Sequence, residues 1–113
     1  MAKDFAPAAG DILWLSLDPT QGHEQAGHRP VLVLSDKRYN QLTGMMVCCP
    51  ITSQAKGYPF EVSIDTAKAK GVVLADQPKS LDWRSRGVSK AVGTADSKTL
   101  VELRLLTGKV LGL

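Results

Sequence analysis

The chain has little of what simple functional motifs are built from. It carries two cysteines and two histidines in 113 residues, and aromatic side chains make up only 5%. The cysteines are neighbours, Cys48-Cys49. Adjacent strand residues point to opposite faces, so an ordinary disulfide between them is excluded. Neither they nor His23 and His28 show a zinc spacing, and two reduced, buried thiols with no metal or other cofactor are expected. No apolar run approaches the ~20 residues of a membrane-spanning helix. Met1 to Pro7 lacks the apolar core of a secretion signal. A cytoplasmic protein that does not engage a membrane is therefore expected. With 43% apolar and 22% charged residues, the composition is that of an ordinary globular chain. Disordered, collagen-like and disulfide-stapled classes are excluded, and residues 1–113 read as a single domain.

Charge is also scarce in the aggregate, at a net +3, but it is unevenly placed. The first 47 residues sum to −1 and the remainder to +4, with Lys79, Arg84, Arg86 and Lys90 opposed locally only by Asp82. Such a patch attracts phosphates, and it is equally the composition of a solvated basic face.

What is present is a succession of short strand patterns. Gly10 to Asp18 reads as a strand closed by Pro19, and residues 20–28 read as a polar loop. Val31-Leu32-Val33-Leu34-Ser35 is a continuous apolar run, expected to be buried on both faces. Asp36 to Thr43 suits a short helix capped by Ser35 or Asp36 and ended by Gly44. Further strands are expected over Met45–Thr52, Tyr58–Asp65 and Gly71–Asp76, with one or two short segments between Lys79 and Val92. Asp96 or Ser97 caps a last helix whose apolar face would be Leu103, Leu106, Val110 and Leu113. Met45 and Met46 are assigned to the core, and Trp14 and Trp83 to the core or a dimer interface. Without regular strand–helix alternation a parallel sheet is disfavoured. The expected fold is mainly β (α+β), a compact antiparallel sheet or small barrel with a packed C-terminal helix.

Four polar residues lie at strand ends beside loops, where a rigid framework displays function. These are Glu24, His28 and Arg29 around the first loop, and Thr52 at the end of the third strand. If the second and third strands pair with these ends together, Arg29 and Thr52 face one cleft. A guanidinium grips phosphate through its planar fork, a threonine hydroxyl adds a hydrogen bond, and Glu24 or His28 can move a proton. Each residue also has a plain reading: a surface charge, a turn hydroxyl, a structural imidazole or a solvated carboxylate. The spacing alone establishes that an anion site is possible.

The same residues carry a resemblance. Gly10-Asp11-Ile12-Leu13-Trp14, the run from Asp18 through Gly27-His28-Arg29-Pro30 to Ser35, Pro50-Ile51-Thr52-Ser53-Gln54, Lys56 to Val62 and Ala75 to Arg84 are similar to the MazF/PemK family of bacterial toxin endoribonucleases. The resemblance is closest to the MazF subgroup. It implies a small SH3-like barrel or twisted antiparallel sheet with short helices, working as a homodimer, and metal-independent cutting of single-stranded RNA, chiefly mRNA, at short motifs. The products would be a 2′,3′-cyclic phosphate or 3′-phosphate and a 5′-hydroxyl, with translation and growth inhibited. The family's catalytic arginine and threonine fall on Arg29 and Thr52, and Glu24 and His28 match positions implicated in activity. Gln54, Lys56, Glu61, Lys79, Arg84 and Arg86 are candidates for an RNA-binding groove. A MazE-like antitoxin is the implied partner, and residues 20–28 are expected to become ordered with RNA or antitoxin. Two alternatives are a toxin of the same fold that poisons DNA gyrase, and a non-catalytic SH3-like interaction module.

Overall fold

A computed structural model describes residues 5–17, 22–24 and 27–113. It contains seven strands, β1 (Asp11–Ser16), β2 (His28–Val33), β3 (Met45–Thr52), β4 (Glu61–Asp65), β5 (Lys70–Leu74), β6 (Lys79–Asp82) and β7 (Gly93–Thr94). Two helices complete it, α1 (Lys37–Thr43) and α2 (Ser97–Val110). The expected loop over residues 20–28 lies partly outside the described residues, as does any ordering of it by a ligand. Its last residue, His28, opens β2.

Every strand pairing is antiparallel, in the order β4-β5-β3-β2-β1-β7, with β6 also paired to β3. Eight-residue β3 is the hub. One edge meets β2, with Val31 opposite Pro50 and Val33 opposite Cys48. The other meets β6 along Met45–Cys48, then β5 at Ile51 and Thr52. The sheet curls around one apolar cluster that includes Ile12, Leu32, Cys49, Ile51, Val62, Val73 and Leu103. A second cluster, with Leu13, Leu15, Val31, Val33, Met46, Cys48 and Trp83, fills its other face. Val31, Leu32 and Val33 are all fully buried, so the apolar run at β2 is covered on both sides as its composition requires. Met46 is in the core, whereas Met45, at the strand's start, is only half-buried.

The thiols of Cys48 and Cys49 sit in the two clusters, one each. Burial foremost, then the neighbouring thiol, pushes Cys48 up to about 12, and burial pushes Cys49 up to about 12. Both are therefore protonated and inert as nucleophiles at neutral pH.

Helix α1 starts where Asp36 accepts from the Arg38 N–H at 3.0 Å and stops at Gly44, which adopts the left-handed conformation. It brings in Asn40, a fully buried amide that ties three segments together. Its Nδ2 donates to the carbonyls of Pro7 (2.8 Å) and Ser35 (3.1 Å), and its Oδ1 accepts from the Ser35 hydroxyl at 2.6 Å. Its backbone carbonyl accepts from the Trp83 indole at 2.9 Å. An Asn40→Ala variant strands several buried polar groups at once. At roughly 1–3 kcal/mol per orphaned group, a loss of about 2–3 kcal/mol is expected in urea unfolding. An unchanged midpoint would show that water or backbone movement takes over these bonds.

Helix α2 begins at Asp96, whose Oδ1 accepts from the Thr99 N–H at 2.8 Å, and that bond holds the carboxyl below its usual range. The helix corrects one expectation. Leu103 is fully buried and Leu106 packs against the core, but Val110 is half-exposed and Leu113 is 93% exposed. The helix settles on the sheet only as far as Thr107, whose hydroxyl donates to the Ala75 carbonyl at 3.0 Å. The helix itself ends at Val110 with Leu111 as its cap, so Leu113 lies beyond it. Val101 and Leu105 are also exposed. Trp83 is in the core, while Trp14, 43% exposed, is not.

Candidate active site

Trp14, Ser16 and His28 stand on the exposed face of the β1–β2 pair, with Ser16 opposite His28 and Trp14 opposite Pro30. The diagonal pair Trp14 and His28 stack at 5.4 Å and 23° between planes. Arg29 is opposite Leu15 on the other face. The β2–β3 ladder ends at Val31–Pro50, two residues short of Arg29 on one strand and of Thr52 on the other. The guanidinium reaches the Ile51 carbonyl at 3.5 Å. The ends of β2 and β3 lie close together, but Arg29 and Thr52 line separate cavities, so the single cleft expected of them is not formed.

Thr52 is buried, and its Oγ1 accepts from the Gln54 N–H at 3.2 Å. It therefore closes a turn, yet accepting that bond leaves the hydroxyl proton available for a ligand. It lines a cavity of about 510 Å³ with His23, Gln54, Lys56, Tyr58, Asp76 and Gln77 among its walls. Tyr58 stacks on Phe60 at 5.1 Å, giving this cavity a flat aromatic side. Arg29 lines a neighbouring cavity of about 260 Å³ with His28, Ile51, Ser53, Lys68 and Lys70. The end of β3 divides the two: Thr52 and Gln54 face one, Ile51 and Ser53 the other, as strand alternation dictates.

The candidate RNA-binding residues are not gathered in one place. Gln54, Lys56 and Glu61 share the Thr52 cavity. There the Glu61 carboxylate accepts from the backbone N–H groups of Lys56 (3.0 Å) and Gly57 (3.1 Å), so it also braces the β3–β4 loop. Lys79 lies 3.9 Å from Glu24. Arg86 donates to the Ser16 carbonyl at 2.9 Å and lines a third cavity with Trp14, His28 and Lys90. Arg84 is elsewhere: it donates to the Gln41 carbonyl at 2.6 Å and lies over the Trp83 ring, neutralising the C-terminal end of α1.

Sequence reading passed over Tyr58, Asp76 and Gln77, which lack any motif of their own. The Asp76 Oδ1 is shut from solvent and has no hydrogen-bond partner. A strand-end Asp-Gln pair was the one available signal. Among the described residues no three metal-binding side chains converge, and no helix is long and apolar enough to cross a membrane.

The family of PemK-like, MazF-like toxins of type II toxin-antitoxin systems matches residues 8–108. The endoribonuclease toxin MazF of Escherichia coli strain K12 is 49% identical over 110 residues, which are 97% of this chain and 96% of that protein. The crystal structure of MazF from Deinococcus radiodurans is similar with a TM-score of 0.89 and 50% identity, covering 97% of this chain and all of that one (100%). A MazE–MazF crystal structure from the same organism gives 0.83 at 50% identity, over 97% and 99% of the two chains.

Proposed function

Because the chain belongs to the PemK-like, MazF-like family of type II toxin–antitoxin toxins, we propose that this endoribonuclease cuts single-stranded mRNA at short sequence motifs without a metal. Cutting would halt translation and growth in the cytoplasm until a MazE-like antitoxin covers the site of the homodimer. What supports the reading is the placement of Arg29 and Thr52 at neighbouring ends of β2 and β3, in adjoining cavities, with Gly22 and His23 lining the one at Thr52.

The substrate's own 2′-hydroxyl supplies the nucleophile. Its oxygen bonds to the adjacent phosphorus while the bond from phosphorus to the 5′-oxygen breaks, leaving a 2′,3′-cyclic phosphate and a 5′-hydroxyl. Glu24 takes the 2′ proton and His28 delivers one to the departing oxygen or positions it. Arg29 neutralises charge on the non-bridging oxygens, and Thr52 donates its free hydroxyl proton to the same phosphate. Lys56, Gln54 and the aromatic wall at Tyr58 hold neighbouring bases, which single-strand readers splay out and stack.

The test is a long single-stranded RNA incubated with purified protein in excess EDTA, with product ends mapped. Discrete cuts bearing 5′-hydroxyls are expected. Cuts that vanish with the chelator would end the metal-free scheme. No cutting at all, alongside inhibition of gyrase supercoiling, would move the assignment to a gyrase poison.

A further inference from the structure

The turn joining β5 to β6 reaches back to residues 22–24 twice. Gln77 Nε2 donates to the His23 carbonyl at 3.4 Å, and Lys79 Nζ lies 3.9 Å from Glu24 Oε1. The ends of the ion pair differ in kind. The Lys79 side chain is 20% exposed and Glu24's is 52% exposed. Lys79 opens β6 opposite Cys48, so its stem is fixed to the central strand. An ammonium so far out of water gains from an adjacent carboxylate. Glu24 instead stands on a stretch where Gly22, His23 and Glu24 are all exposed. A rigid strand thus holds a cation where a loop carboxylate must be placed.

We propose that Lys79 is a positioning residue for Glu24: its ammonium fixes the carboxylate beside the Thr52 cavity instead of gripping an RNA phosphate. The inference rests on the ribonuclease reading above. Its effect is on geometry. Displacing a reacting group by about 1 Å can cost on the order of 10²-fold in rate.

The experiment is multiple-turnover cleavage of a short RNA by Lys79→Met, which keeps the stem and removes the charge. The expected result is a fall in kcat of about 10–10²-fold with KM and salt dependence unchanged, largely restored in Lys79→Arg. In a Glu24→Ala background the same change should bring no further loss, because the two residues act as one unit. A general folding defect would subtract equally in both backgrounds and would overturn the proposal, as would unchanged kinetics. A raised KM with a salt slope shallower by ~0.7 would make Lys79 an RNA contact and overturn it too. Wild-type protein that cuts no RNA would instead remove the ribonuclease reading. Amide exchange at His23 and Glu24 then reads the tether directly: faster in Lys79→Met if the lysine holds the loop, unchanged if it does not.

Discussion

Gly71→Ala is expected to cost the native sheet a large part of its stability. Gly71 lies in β5 with φ of +133°, a backbone conformation that disfavours any residue with a Cβ. The steric argument is stronger than the conformational one. A methyl group added there would run into the carbonyl oxygen of Thr52 and stand 2.8 Å from the Ser53 Cα. Both obstacles are backbone, so neither can swing aside. Relief requires β5 to leave β3, which opens the apolar cluster holding Ile51 and Val73, or the end of β3 to shift and carry Thr52 with it. Gly87→Ala is the control, since Gly87 also has a positive φ (+72°) but nothing within 4 Å of the added group. It should lose only about 1–2 kcal/mol. Gly71→Ala should exceed 4 kcal/mol, the range reserved for named steric or packing failures. Thermal unfolding of the pair checks this: at 4–8 °C per kcal/mol for domains of roughly this size, the two are easily separated. Similar midpoints would show that the β3 end yields more readily than its contacts suggest.

Arg29→Ala should leave the fold intact and remove cutting. The side chain lines an open cavity and contributes a long contact to the Ile51 carbonyl, so thermal unfolding should move little. Loss of one donor aimed at a charge that develops in the transition state typically costs ~10²–10³ in rate. Arg29→Lys is the sharper variant. It retains the charge but not the planar fork that spans two phosphate oxygens, and most of the rate should stay lost. Single-turnover cleavage, with circular dichroism on the same samples, decides the matter. A lysine variant that cuts like wild type would mean the site needs only a positive charge, and an alanine variant that does so would take Arg29 out of the chemistry.

Much of the fold was legible because burial pattern and turn chemistry agree locally. Val31–Val33 is apolar throughout and buried throughout, and α1 begins on Asp36, whose side chain caps it, and ends on Gly44, whose left-handed backbone stops it. The end of α2 was not legible. Its apolar spacing continues to Leu113, but the helix ends at Val110, before the left-handed Gly112, and Val110 is itself exposed. The site divides in the same way. Arg29 and Thr52 sit at ends of strands that are consecutive in sequence, so their nearness follows from one pairing, but they line separate cavities because neighbouring residues at the end of β3 face opposite ways. The contacts of Gln77 and Lys79 with His23 and Glu24 join segments more than fifty residues apart, across a sheet order in which β5 and β6 both flank β3. Arg84 shows the converse. It belongs to the basic stretch by sequence, yet Trp83 and the end of α1 claim it.

The place of β3 bears on how the toxin is made. Arg29 and Thr52 precede in sequence the strands that occupy the second edge of β3, which begin only at Lys70 and Lys79. Until those residues emerge, the third strand is an open border, the cavity beside Thr52 lacks its Asp76–Gln77 wall, and Glu24 lacks its lysine. The growing polypeptide therefore carries Arg29 and Thr52 without their finished surroundings until β5 and β6 have been added.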